Sequence, residues 1–104
     1  PGIFRGALDV RARTITDEMC LAAAQALAGM AEEKGLNPEY IIPAMEEWEL
    51  YPREAAAVAL KAVEQGVARV ATTYGEEYAR ASAIIARSHQ LVDTLQREGL
   101  VKVD

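Results

Sequence analysis

Glycine closes three helical stretches of this chain, at Gly35, Gly66 and Gly99, and the sequence between these stops is rich in alanine and poor in aromatic residues. This pattern constrains the fold more than any other feature. Hydrophobic residues make up 51% of the chain but aromatic ones only 6%, so a core must be built from Ala, Val, Leu, Ile and Met. Alanine-rich helices approach one another closely yet bury little area each. A chain of 104 residues is at most one small domain, with a radius of gyration of roughly 13 Å if compact. Built this way, it is marginally stable unless it leans on something else.

The helical stretches follow from local signals. Ile3 to about Ala12 carries Phe4, Leu8 and Ala12 at helical spacing, with Ala7 beside them, which predicts a first helix behind a Pro1-Gly2 turn within residues 1–13. Thr16 is a good N-cap, and Asp17 and Glu18 suit the positive end of a helix dipole. Beyond it Met19, Ala23, Ala26, Leu27 and Met30 form one apolar stripe, placing a helix within 14–35. Residues 36–51 read as a connector whose YIIPAMEEWELYP stretch is punctuated by Pro43 and Pro52. Asn37-Pro38 has the form of an N-cap and first helical residue of one short turn. Ile41, Ile42, Met45, Trp48 and Leu50 make this connector too apolar to lie in water. Pro52 is expected to open the next helix, 52–66. The last helix, 74–99, carries Tyr78, Ser82, Ile85, His89 and Val92 on one face, with Ile84, Leu91 and Leu95 beside them. Only GLVKVD, at 99–104, is compatible with a brief strand. The expected fold is all-α, about four helices and a Pro-punctuated connector.

Composition excludes several classes of function. A net charge of −5 argues against a nucleic-acid partner, because phosphate binding needs a clustered positive surface. The lone Cys20 allows no internal disulfide, so nothing demands an oxidising compartment. No apolar run approaches the roughly 20 residues of a membrane span, and no signal-peptide pattern opens the chain. The expectation is a cytoplasmic protein that engages no membrane. The chain opens on Pro1, which removal of an initiator Met ahead of a small residue would explain.

Chemistry-bearing residues are few. The seven glycines are scattered and form no phosphate-cradling loop. His89 has no second histidine or cysteine at metal spacing and reads as a helix-face residue at a packing edge. Cys20 lies in the first turn of a helix without a basic neighbour and reads as a buried structural thiol. The acidic pairs Asp17-Glu18, Glu32-Glu33, Glu46-Glu47 and Glu76-Glu77 read as solvated surface, since adjacent residues on a helix do not face each other. Tyr40, Tyr51, Tyr74 and Tyr78 have no paired base and read as packing and rim residues. No catalytic residue and no metal ligand can be assigned.

Only the opening stretch resists this bland reading. Arg5, Asp9 and Arg13 stand four apart, which allows an Arg-Asp-Arg ladder set among Phe4, Leu8 and Val10. Charges in such surroundings need partners. A free chain end rarely carries such a ladder, so the stretch reads as the middle of a longer protein.

The motif PGIFRGALDVRAR-I-DEM-LAAA-ALA resembles the malic enzymes of bacteria and archaea near the end of their NAD-binding domain. The resemblance continues through IIPAMEEWELYPREAAAVALKAVEQGVAR and YARASAIIARS, and so covers essentially the whole chain. It implies that these helices are the C-terminal part of an α/β Rossmann-type domain. The parent enzyme would oxidise and decarboxylate malate to pyruvate and CO2, using NAD or NADP and a divalent Mg or Mn ion. The family's tyrosine acid, lysine base, acidic metal ligands and dinucleotide glycines match no residue here, so neither Tyr40 nor Lys61 inherits those roles. No cofactor-binding residue is carried over. Pro1 and Gly2 would at most support the adjoining substrate and cofactor loop at the carboxyl end of a sheet strand. No bound cofactor is expected on this piece alone.

Helices evolved to cover a parallel sheet keep apolar faces when that sheet is absent. The partners implied are therefore the remainder of the malic enzyme chain and a second copy in a homo-oligomer. The competing reading is a stand-alone helical interaction or scaffold protein without redox activity.

Overall fold

The computed structural model describes residues 1–35 and 47–99, and for Glu47 and Trp48 the backbone alone. Among the described residues the chain forms four helices and no strand. They are α1 (Gly2–Asp9), α2 (Asp17–Glu33), α3 (Glu47–Glu64) and α4 (Tyr74–Arg97). The all-α expectation is met. Pro38, Tyr40, Pro43 and the other residues of the connector up to Glu46 lie outside the described residues, as does the GLVKVD segment beyond Gly99.

Local signals act where the sequence places them. The Thr16 hydroxyl accepts a hydrogen bond from the Met19 backbone N–H at 3.0 Å, satisfying one free donor of α2. The same hydroxyl donates to Gln65 Oε1 at 2.6 Å, tying the start of α2 to the end of α3. Thr73 caps α4 by accepting from Glu76 N–H at 3.1 Å. Gly35, Gly66 and Gly99 follow their helices at φ of +67°, +73° and +70°, the left-handed bend that stops a helix at little steric cost.

Helix α3 is the axis of the fold, and α1, α2 and α4 all pack on it. Its Ala55, Ala56, Val58, Ala59 and Ala62 are wholly buried. Small residues on the central helix let its neighbours come close. Helix α1 comes close because it turns Gly2 and Gly6 inward. A Cβ at Gly2 would lie 2.5 Å from Glu54 Cβ and 3.0 Å from the Tyr51 carbonyl oxygen. A Cβ at Gly6 would run into the Ala55 carbonyl oxygen and stand 3.0 Å from Val58 Cβ. Ala7 and Val10 join Met19, Ala23, Val58, Ala59 and Ala62 in one core cluster.

The structure corrects the expected first helix in two ways. Its buried residues are Gly2, Gly6 and Ala7, whereas Phe4 and Leu8 are 65% and 64% exposed. It also ends at Asp9, not Ala12. The Arg11 N–H donates to the Leu8 carbonyl at 3.1 Å and Ala12 N–H to that of Ala7 at 2.9 Å. This is a helix-ending bend that usually carries glycine, here with Arg11 at φ 49°. The chain then pairs with the segment after α3. Arg13 N–H donates to the Val67 carbonyl at 2.9 Å, and Arg69 and Val70 N–H both donate to that of Val10.

Three further expectations shift. Pro52 does not open α3 but lies inside it, fully buried. The helix therefore runs back through Glu47, and the burial of the ring offsets part of the lost backbone hydrogen bond. In α4 the buried row is Glu77, Ala81 and Ile85, spaced four apart. Of the expected face only Ile85 is buried, Ser82 is half-buried, and Tyr78, His89 and Val92 are exposed. Cys20 is an exposed free thiol, not a buried one, because α2 buries Met19, Ala22 and Ala23 and turns position 20 to solvent. The α2 stripe holds at Met19, Ala23 and Met30, with Ala26 and Leu27 half-buried. The Cα radius of gyration is 15.1 Å, larger than the compact expectation.

The glycines of α1 and α2 predict opposite effects of one substitution. Gly6→Ala forces α1 off α3 and destabilises the chain by about 1–3 kcal/mol. Gly29, in α2, has no atom within 4 Å of a new Cβ. Gly29→Ala stabilises by about 0.5–1 kcal/mol through helix propensity alone. Urea denaturation of both variants at one pH checks the difference in sign.

Candidate functional site

Helix α1 brings the notable groups together because each of its sides has a different neighbour. The glycine side lies on α3. A second side carries Arg5 and Asp9 toward α4, and a third turns Phe4 and Leu8 outward. Arg5 Nη2 meets Asp9 Oδ1 at 2.8 Å, with the two side chains 28% and 7% exposed. The first rung of the expected ladder therefore forms. The second does not, since the helix ends at Asp9 and Arg13 lies exposed past the bend.

Across from Asp9 stands Glu77, in the first turn of α4. Its side chain is fully buried, which overturns the reading of Glu76-Glu77 as solvated surface. Glu76 does remain exposed. Arg80 Nη1 donates to Glu77 Oε1 at 2.6 Å from one turn further on, and Arg80 itself is 45% exposed. Burial pushes the Glu77 carboxyl up to about 8, and a hydrogen bond and negative charge from Asp9 act in the same direction. Arg80 opposes them without prevailing. Three buried atoms of this cluster have no hydrogen-bond partner in the chain: Arg5 Nε, Asp9 Oδ2 and Glu77 Oε2. Glu77 escaped the sequence reading because glutamate counts as polar in any periodicity. Its spacing of four and eight from Ala81 and Ile85 was the signal available.

The other candidates stay apart. The Asp17-Glu18 and Glu32-Glu33 pairs are exposed as expected, and Glu46-Glu47 falls outside the described side chains. An Arg53 hydrogen bond holds the Glu33 carboxyl below its ordinary value, with Arg53 Nη2 at 2.7 Å. Tyr74 and Tyr78 stack on each other at a centroid distance of 6.2 Å on the exposed side of α4. Tyr51 is half-buried on α3, and Tyr40 lies outside the described residues. Pro1 caps α1, and buried Gly2 is its first residue, so the expected Pro-Gly turn is the beginning of the helix itself. Among the described residues no group of three His, Cys, Asp or Glu could hold a metal ion. None of the described helices is long and apolar enough to cross a membrane.

The sequence family described as "Malic enzyme, NAD binding domain" matches residues 1–67. The bifunctional malic/malolactic enzyme of Bacillus subtilis is 51% identical over 70 residues, covering 67% of this chain and 17% of that protein. The NADP-dependent malic enzyme of Rhizobium meliloti is 40% identical over 115 aligned residues, covering 93% of this chain and 14% of that protein. Among solved structures, the malic enzyme of Entamoeba histolytica superposes on the whole chain with a TM-score of 0.90 at 44% identity, using 22% of its own length. This chain thus spans between about a ninth and a little over a fifth of the proteins it matches. The chain belongs to the malic enzyme family, as part of its NAD-binding domain.

Proposed function

We propose that these helices are the C-terminal, non-catalytic part of the NAD-binding domain of a malic enzyme. The whole protein would oxidise malate and decarboxylate it to pyruvate and CO2, reducing NAD or NADP with help from Mg or Mn. The observation that carries this reading is the likeness of the entire chain, at 44% identity, to about a fifth of a malic enzyme. A stand-alone scaffold protein is the weaker reading, since the likeness runs to enzymes over the whole length.

On this reading the described residues would not themselves hold the enzyme's cofactor or metal. Its glycines are scattered along the sequence. Among the described residues no acidic or histidine cluster has a metal's donor set. The nicotinamide and the ion would therefore be held by other parts of the protein. The contribution of this chain would be mechanical. Pro1 and Gly2, the glycine set closely against Glu54 and Tyr51, would fix the base of the preceding substrate and cofactor loop. Phe4 and Leu8 would pack on the remainder of the enzyme, and exposed apolar positions such as Leu91 and Val92 of α4 would serve subunit contacts. Apolar side chains grouped on one exposed face mark such surfaces.

Two measurements test the proposal. The full-length protein that carries this sequence should reduce NAD or NADP with malate and Mn, releasing pyruvate and CO2, while residues 1–104 alone should not. A full-length protein without turnover, or an active isolated chain, would overturn it. The substitutions Phe4→Asp and Leu8→Asp should change the stability of the isolated chain by no more than about 0.5 kcal/mol. In sedimentation they should shift that chain from oligomer toward monomer, and in the full-length enzyme they should lower the yield of active protein several-fold. A wild-type chain that stays a rigid monomer at high concentration counts against exposed apolar faces seeking a partner.

A further inference from the structure

The cluster between α1 and α4 has a symmetry of need. Asp9 gives one oxygen to Arg5 at 2.8 Å, and Glu77 gives one to Arg80 at 2.6 Å. Each carboxyl keeps its second oxygen, Asp9 Oδ2 and Glu77 Oε2, buried and without a donor. Asp9 and Glu77 are close enough to act on each other, and a proton held between the two carboxyls would give both orphaned oxygens a partner. We propose that Asp9 and Glu77 hold one shared, buried proton that fastens the start of α4 to α1, and that losing this proton loosens that joint.

The surroundings favour the protonated form. From α1 the ionisable groups facing Glu77 are Asp9 and, through it, Arg5. From α4 there is Arg80, while Glu76 is exposed and bonded to Thr73. Helix α3 packs against both. Its Arg53 is engaged by Glu33, its Glu54 sits under Gly2, and its Lys61 pairs with Glu64 at 2.9 Å. Asp9 and Arg80 are the charged groups that act on Glu77, and burial outweighs both. Once both carboxyls are charged, the half-exposed Arg80 is a weak counterweight, because its charge is screened by solvent.

The sign of the pH effect follows. With Glu77 raised from 4.5 to about 8, the folded chain keeps a proton across this window that the unfolded chain has released. This contribution to stability is complete below pH 4.5 and is lost as pH rises through about 8. The proposal does not depend on the malic enzyme reading and needs no substrate.

The test is a pH titration of the chain with its Glu carboxyl carbons observed by NMR, alongside urea denaturation of the wild type and of Glu77→Gln. The Glu77 carbon is expected to titrate near pH 8, and Asp9→Asn to lower that midpoint. The urea midpoint of the wild type should fall between pH 6 and pH 9 relative to that of Glu77→Gln, whose amide keeps a hydrogen donor at every pH. A Glu77 carbon that titrates near 4.5 would overturn the shared proton. So would a Glu77→Gln variant that loses as much stability at pH 9 as at pH 6, since Glu77 would then act as an ordinary ion-pair partner of Arg80. If that variant fails to fold, the wild-type carbon titration decides alone.

Discussion

The contact on which the rest depends is the close approach of α1 to α3 at Gly2 and Gly6. Two missing side chains, one turn apart, let the backbone of a short helix rest on the Tyr51 and Ala55 carbonyls. An eight-residue helix has little stability of its own and forms because it is docked. Once docked, its rotation about its axis is fixed, and so is the direction of every other side chain it carries. Arg5 and Asp9 then point to α4, and Phe4 and Leu8 point away from the body.

Burying charge between α1 and α4 has an energetic logic that burying more leucine would not supply. Apolar contacts are tolerant of small rotations, whereas a carboxyl buried without a donor costs about 1–3 kcal/mol. The Asp9–Glu77 contact is therefore selective about how α4 sits, even if it contributes little net stability. Around it the core is made of alanine, valine and methionine, which hold the helices together without specifying a single register.

Much of the fold was legible in the sequence because it rests on local chemistry. Thr16 and Gly35, Gly66 and Gly99 mark ends that need no knowledge of the rest of the chain, and the α2 stripe from Met19 to Met30 follows from period alone. The family was legible from the PGIFRGALDVRAR motif. What failed depended on partners. In α1 the buried row is glycine, which no hydrophobic count detects, so helical spacing picks out Phe4 and Leu8 instead. Pro52 was read by its usual role as a helix opener, while burial on the central helix let it sit in the interior. Cys20 reads as a buried thiol from sequence, whereas its neighbour Met19 takes the core position. The carboxyl of Glu77 was invisible for the opposite reason to glycine, being counted as polar where the fold treats it as a core residue. The need of Arg5 and Asp9 for partners is visible in the sequence, but only the folded chain supplies Glu77.

The backbone pairing after α1 has a consequence for how this region tolerates change. Val10 and Arg13 are joined to Val67, Arg69 and Val70 by main-chain hydrogen bonds, so the segment holding α2 and α3 is closed at its base like a drawstring. Main-chain bonds are indifferent to which side chains ride on them. Arg13, Arg69 and Val70, all exposed, are thus positions where substitutions can accumulate over evolutionary time while the closure persists. Gly2 and Gly6 enjoy no such latitude.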